Sequence, residues 1–251
     1  MLAITIAGRE IFGHPRDLSR AKGLFVQPGG FQGWEGISNT RRESLARAVE
    51  HGEHDTPVYL GSRVVTIDGW VLAPTEDELV HLSSSVVGLL GTGRIQVTID
   101  HRGRTLWANA RVTTAECEDT GNSSPPFRAE FQLQLTFADP RRYGETNVLP
   151  ETGVATSIPV FHRGNFPAYP VVEIPSAPAS YSITSPGGVF TVSGAQAGGT
   201  HTVDMRRGRV FRNGVEMFDV GRGDLWSVPP GASWTHTLSV AGRVRILNTY
   251  V

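Results

Sequence analysis

The sequence has only one cysteine, Cys117, and one lysine, Lys22, among its 251 residues. A lone cysteine excludes a disulfide within the chain and a zinc site built on several cysteines. The 23 Lys and Arg residues nearly balance the 24 Asp and Glu residues, so the formal net charge is -1 and there is no basic field of the kind that binds nucleic acid. No apolar run is long enough to cross a bilayer, so we expect no membrane insertion.

The sequence signatures of common catalytic sites are also missing. There is no Gly-x-Ser-x-Gly elbow, no His-Glu-x-x-His zinc motif, no EF-hand loop and no Rossmann fingerprint after a strand. Asp68, Asp100 and Asp139 lie at predicted strand positions or ends. A pair of carboxylates at glycosidase spacing would support hydrolysis, but nothing in the sequence pairs these three. We therefore predict that the protein is not an enzyme and needs no cofactor.

The most informative stretch runs from Arg63 to Gly91. Its first half is rich in β-branched residues in an extended pattern, which predicts a strand that ends at Pro74. Thr75 followed by Glu78 is a capping box, and acidic residues crowd the first turn of the helix that it begins. Apolar residues at helical spacing, closed by a glycine, predict an amphipathic helix over residues 76–90 that packs on a sheet of its own subunit.

Residues 40–58 are highly charged and carry few apolar positions. A solvated surface loop and an arm that reaches a neighbouring subunit both fit this composition. If the stretch is an arm, its candidate subunit contacts are Arg41, Arg42, Glu43, Arg47 and His51. The spacing of the nearby histidines and acids fits no class of metal site, so we predict no metal; the residues concerned are His51, Glu53, His54 and Asp55.

The rest of the chain alternates strand patterns with glycine- and proline-rich turns. Residues 94–117 have the pattern of a hairpin, and residues 127–137 alternate most regularly between apolar and polar. Periodicity then disappears, and short, closely spaced strands follow to the end. We predict a mainly β fold of two β-sandwich domains: residues 1–148 with the helix on the sheet, a linker over 149–165, and a second domain over 166–251.

Two tryptophans, Trp226 and Trp234, flank the Pro-Pro-Gly turn of the second domain. If they are exposed, they are suited to stacking on sugar rings; if they are buried, they belong to the core, as large aromatic residues of sandwich strands usually do. With Asn213 they form the candidate contact for a carbohydrate or a protein partner.

The order of these features resembles one protein family. An arginine-rich arm ends in His51-Gly52 and is followed by the motif GSRVVTIDGWV at residues 61–71. The capped helix and the hairpin come next, and then the motif FADPRRYG at residues 137–144. This order is similar to that of the distal tail proteins (Dit, or minor tail proteins) of long-tailed phages, particularly phages of actinobacteria. The resemblance covers about residues 1–144, and the second domain is similar to the galectin-like domain that such proteins often carry.

The resemblance implies a structural virion protein at the distal end of the phage tail, assembled in the host cytoplasm. Members of the family form a ring, usually a hexamer, that joins the tail tube to the baseplate or tip proteins around the DNA exit channel. The expected partners are copies of the same chain, the tail tube protein, the tape measure protein and the tail-associated hub proteins, with DNA only in transit. One alternative is a carbohydrate-binding module or adaptor for a host-surface glycan, and another is a cell-wall hydrolase.

Overall fold

The computed structural model describes residues 2–15, 17, 21–36, 39–121 and 124–251. The chain folds as two compact units, one made of the described residues up to Arg142 together with Val251, and the other of Tyr143–Tyr250. Strands dominate both units, and the α-helix found in the described ranges belongs to the first unit. The prediction of a mainly β protein with one helix is therefore confirmed. In the part of the chain that the structure describes, no helix is long and apolar enough to cross a membrane.

The first unit contains a sheet that closes on itself. Its elements are β1 (Ala3–Ile6), β2 (Arg9–Phe12), β3 (Gly23–Gln32), β4 (Thr40–Arg41), β5 (Tyr59–Leu60), β6 (Arg63–Ala73), α1 (Glu76–Val87), a 3-10 helix (Gly88–Thr92), β7 (Arg94–His101), β8 (Arg104–Asp119) and β9 (Phe127–Phe137). The strands pair in the order β1-β7-β8-β9-β6-β3-β2, and β2 pairs again with β1. Of these pairings the short β2–β3 contact is parallel and the others are antiparallel. The structure thus has one closed sheet where the sequence analysis predicted two opposed sheets, because the β2–β3 contact joins the two edges.

Side-chain alternation places the core of this unit on one face of the sheet. In β9, the positions from Ala129 to Phe137 that were predicted to face inward are all buried. They pair across the sheet with β6, where Val65 faces Leu135. Gly69 of β6 is needed for packing, because a Cβ atom there would collide with the carbonyl oxygen of Phe25 and with an aromatic ring of β9.

Helix α1 begins as the sequence predicts. Thr75 has extended backbone angles, and its hydroxyl accepts a hydrogen bond from the Glu78 N–H group at 3.3 Å. The helix packs on β6, β8 and β9 of its own unit. Its predicted end is wrong, because the α-helix stops at Val87 and the chain tightens into the 3-10 helix before reversing at Gly93. This tighter turn leaves Leu90 48% exposed, although the sequence placed it on the apolar stripe.

The second unit consists of two groups of strands that share one long strand. Its elements are β10 (Arg142–Leu149, whose first residue belongs to the first unit), β11 (Ala155–Phe161), β12 (Val171–Ile174), β13 (Tyr181–Ser185), β14 (Gly188–Val192), β15 (His201–Asp204), β16 (Arg209–Arg212), β17 (Val215–Met217), β18 (Gly221–Gly223) and β19 (Ser233–Tyr250). The first group runs β17-β16-β15-β12 and joins the second half of β19. The second group runs β18-β14-β13 and joins the first half of β19, which also pairs with β11.

One apolar core lies inside this unit. It takes Val172 and Val203 from the first group of strands and Ile183 and Phe190 from the second. Residues 155–161, which the sequence analysis placed in a linker, are strand β11. Ile158 and Val160 on this strand are buried, and Pro159 between them, with Thr156 and Ser157 before them, hid the alternation. A galectin-like character of this unit stays a prediction.

Candidate inter-subunit surface

The charged stretch after β3 forms an exposed antiparallel hairpin, residues 40–60, which we call the arm. At its base β4 pairs with β5. Nearer the tip, Ala46 bridges Glu53, and the Arg47 N–H group donates to the Gly52 carbonyl at 3.2 Å. At about 3.3 Å per residue, ten residues of extended chain reach about 30 Å. The arm is therefore long enough to contact a neighbouring molecule.

Short-range polar contacts define the conformation of the arm. Arg42 forms ion pairs with Glu53 at 2.6 Å and Asp55 at 3.6 Å, and Arg47 pairs with Glu50 at 3.0 Å. The hydrogen bonds and ion pairs described for residues 40–58 all lie within the arm. Exposed pairs of this kind contribute only about 0–1 kcal/mol each, so the arm gains little stability on its own.

Apolar side chains point into solvent along the arm. Val49 at the tip is 95% exposed, and Leu45 is 67% exposed. Val58 and Tyr59 nearer the base are each 59% exposed. Single exposed apolar residues are ordinary, but four on one protruding hairpin form a surface that gains free energy when another surface covers it.

The root of the arm, in contrast, is held by a buried arginine. Arg63 at the start of β6 is only 2% exposed. Its Nη1 group lies within hydrogen-bond distance of three backbone carbonyls in the segment before the arm, Gly33 at 3.0 Å, Trp34 at 2.8 Å and Gly36 at 3.0 Å, which share its two hydrogens. Its Nε donates to the Pro140 carbonyl after β9 at 3.0 Å, and its Nη2 is buried without a partner among the described residues. The Gly61 N–H group also donates to the Asn39 carbonyl at 2.5 Å and closes the base. Arginine suits this position because its planar fork presents several donors at once.

A second arginine, Arg142, lies at the root of the arm, and we call Arg63, Arg142, Trp34 and Glu35 the root cluster. Arg142 donates to the Trp34 carbonyl at 3.0 Å and to a Glu35 carboxylate oxygen at 3.2 Å. Its guanidinium carbon lies 5.4 Å from the centre of the Trp34 ring system, which is itself 1% exposed. The other Glu35 oxygen lies 3.3 Å from Nδ1 of His101. The loop before the arm is thus tied to the end of β7.

The charges of the root cluster affect one another. Burial, with the charge of Arg142, lowers the pKa of Arg63 to about 10. Burial raises the pKa of Glu35, but its hydrogen bonds to His101 and Arg142 outweigh this effect and hold the pKa below its ordinary value. At neutral pH Arg63 and Glu35 are therefore ionised.

The five residues predicted as subunit contacts, Arg41, Arg42, Glu43, Arg47 and His51, are all exposed on the arm. Their role as contacts stays a prediction. The sequence analysis missed the root cluster, although both of its arginines lie in the two motifs that carry the family resemblance: Arg63 in GSRVVTIDGWV and Arg142 in FADPRRYG. Sequence analysis could have found Arg63, because this charged residue occupies an inward-facing position of the predicted strand.

The candidate carbohydrate contacts do not form an open aromatic surface. Trp226 is 4% exposed, and its indole N–H donates to Nε2 of His236 at 3.0 Å, so the structure assigns it to the core. Trp234 is partly buried and packs against the same core. Asn213 has a positive φ of 49° and accepts a hydrogen bond from the Thr200 N–H group at 2.9 Å, which fixes the turn.

The candidate acids are not arranged as a catalytic pair. Asp68 accepts a hydrogen bond from the Gln132 amide at 2.8 Å, and Asp139 forms an ion pair with Arg141 at 2.7 Å. Asp100 is exposed at the far end of β7. Within the described ranges, no group of three or more His, Cys, Asp or Glu residues is placed to hold a metal ion.

The fold is shared with hub and baseplate proteins of phages. The crystal structure of the Dit protein of phage SPP1, described as a paradigm of the hub adsorption apparatus in phages that infect Gram-positive bacteria, aligns over 100% of both chains. The TM-score is 0.75 and the sequence identity 17%. A chain of the phage P2 baseplate, in its activated conformation with Ca, aligns over 99% of this chain and 98% of its own, with a TM-score of 0.50 and 7% identity.

The chain therefore has the fold of a phage distal tail (Dit) protein, which confirms the resemblance at the level of the fold. The sequence itself matches no protein-family model and no curated protein. The structural neighbours are phage hub and baseplate proteins and not enzymes.

Proposed function

We propose that this protein is a structural component of the phage tail tip, a distal tail protein that forms a ring between the tail tube and the tip proteins. The observation that carries the proposal is the alignment with SPP1 Dit along the whole length of both chains, including both units. The exposed arm supports it, because a protruding hairpin with apolar side chains suits contact with an adjacent subunit. The ring is a hexamer by analogy with the family.

The proposal includes the other partners that the resemblance implies. These are the tail tube protein, the tape measure protein and the tail-associated hub proteins, at the distal end of the virion after assembly in the host cytoplasm. The second unit, with two strand groups around one core, is proposed as a galectin-like sandwich that serves as a docking platform. The burial of Trp226 counts against a lectin role for the aromatic residues of this unit.

The first unit carries an acidic face, which is compatible with a channel for DNA. Carboxylates on neighbouring strands surround a shallow depression in the sheet: Asp68, Glu116, Glu118 and Glu130. Glu118 lies directly opposite Glu130 across the β8–β9 pair, and Arg128 contacts only the latter of these two. DNA phosphates bind surfaces that carry Lys and Arg, so this acidic surface is not suited to holding DNA.

The arm provides the experiment that tests the ring. We expect Leu45→Asp with Val49→Asp to abolish the ring and leave a folded monomer. Burying one such side chain is worth about 1.5 kcal/mol or more, so losing two raises the concentration needed for half-assembly about a hundredfold or more. Light scattering and electron microscopy of the purified protein measure this.

The matched control places the same charges elsewhere, at Val80 (63% exposed) and Val215 (71% exposed). Val80→Asp with Val215→Asp should assemble like the parent protein. If the parent protein is monomeric at high concentration, the proposed function is wrong. If the arm variant still forms rings, the ring stands and the arm has no part in it.

A further inference from the structure

An apolar cleft opens on the first unit, at the side where β2, β3 and the β7–β8 turn meet. It has a volume of about 1000 Å³ and is lined by three aromatic side chains, Phe12, Phe25 and Phe31, with His101 and Arg102 at one side. Phe12 is 38% exposed, so the cleft presents an aromatic ring to solvent. This volume is at the upper end of the range for sites that enclose a ligand of drug size.

The described cleft lining carries one charged side chain, that of Arg102, and contains no acidic residue. Besides the aromatic residues it also includes His14 and His101. The occupant that suits such a cleft is an apolar side chain beside a carboxylate. The tip of the arm has this composition, because Val49 is 95% exposed and the side chain of the adjacent Glu50 is 69% exposed.

We propose that the cleft around Phe12 receives the tip of the arm, Val49 and Glu50, from a second copy of this chain. The inference rests on the proposed ring and names its contact: each copy gives one tip and receives one, which is a heterologous contact that closes by rotation. Val49 packs on the aromatic rings, and Glu50 exchanges its ion pair with Arg47 of its own chain for one with Arg102.

The same geometry connects the cleft to the root of the receiving subunit's own arm. The His101 ring lies edge-on to Phe31 in the cleft, with their centres 5.7 Å apart. Its Nδ1 faces Glu35, which is bound by Arg142 in the root cluster. The cleft therefore lies beside the loop from which the receiving subunit's own arm starts.

Cross-linking between two different variants tests the contact. Both carry Cys117→Ser, since Cys117 is partly exposed; one also carries Val49→Cys and the other Phe12→Cys. The two are co-expressed with different affinity tags and treated with a short bifunctional maleimide. We expect a cross-linked dimer that carries both tags, which a link within one chain cannot give. Val49→Cys with Val80→Cys is the matched control and should give none.

The outcomes separate this inference from the proposed function. If rings form without the Val49–Phe12 product, or with a product at Val80 instead, the proposed docking of the arm tip in the cleft is wrong and the proposed ring stands. The remaining occupant of the cleft is then a segment of another protein. Absence of rings from the parent protein overturns both. As a second measurement, Phe12→Asp should raise the half-assembly concentration at least about tenfold, or about 1.4 kcal/mol, and Val80→Asp should not.

Discussion

Replacing Arg63 with methionine should loosen the root of the arm and destabilise the first unit. The side chain is 2% exposed and lies 2.8–3.0 Å from four backbone carbonyls, three of them sharing the two hydrogens of Nη1 and the fourth bound by Nε. A hydrogen bond to a charged group makes a net contribution of about 1.5–3 kcal/mol. Methionine matches the length of the stem but leaves the carbonyls without a donor.

The expected magnitude is smaller than the sum of these bonds. The methionine variant avoids the desolvation of a guanidinium, which amounts to several kcal/mol, and water reaches some of the freed carbonyls. Removing one partner from a buried charged contact typically costs about 3–5 kcal/mol, and we expect a loss of stability in this range. Arg63→Lys keeps the charge but not the planar set of donors, so it should recover less than half of the loss.

Two measurements check this prediction. Urea unfolding gives the free energy, and hydrogen exchange followed by mass spectrometry locates the loosened backbone at residues 33–36 and 39–61. Arg41→Met, on the exposed arm, is the control and should change stability by less than about 0.5 kcal/mol. An Arg63→Met protein with unchanged stability and unchanged protection of these segments would refute the reasoning.

Two further predictions concern packing and pH. Gly69→Ala should destabilise the first unit by about 1–3 kcal/mol, because its Cβ would collide with the Phe25 carbonyl. Gly91→Ala is the control, since a Cβ atom at Gly91 would meet open space. Thermal melts that do not distinguish the two variants would contradict this prediction. The second unit should lose stability as the pH falls below 6.5, the ordinary value from which burial lowers the pKa of His162 and His236. Below that pH these two histidines bind protons in the unfolded chain but not in the folded unit. The free energy of unfolding then falls by at most about 2.7 kcal/mol per pH unit for the two groups. Urea midpoints that stay constant between pH 7 and 5.5 would refute it.

Local patterns were enough to predict much of the fold. The alternation in β9, the cap at Thr75 and the hairpin turn at Arg102-Gly103, whose φ angles are both positive, depend on neighbours in sequence. Closure of the sheet could not be predicted in this way. It depends on a short parallel contact in which Ile11 pairs with Leu24, and neither the four residues of β2 nor the start of β3 carries a sequence signal for that pairing.

The candidate site also has one part that local sequence predicts and one part that depends on residues distant in the chain. The arm is visible in the sequence because a run of charges without apolar periodicity predicts exposure, and its residues are exposed. The root cluster is not visible, since Arg63 finds its acceptors about thirty residues earlier and at Pro140. The burial of Trp226 likewise depends on His236, which no spacing rule connects to it.

The arm has an ordered root and an exposed tip, and the order at the root lowers the entropy cost of docking. A hairpin that was flexible at its base would lose conformational entropy on docking, at about 0.5–1.5 kcal/mol for each ordered side chain and more for the backbone. The hydrogen bonds of Arg63 order the root during folding, so docking has only the tip to order. The affinity between subunits should therefore fall when Arg63 is replaced, even if that side chain never touches the neighbouring copy. Assembly strength in this molecule then depends on two separate features: an apolar tip that makes the contact, and a buried arginine that holds the arm in the direction of the contact.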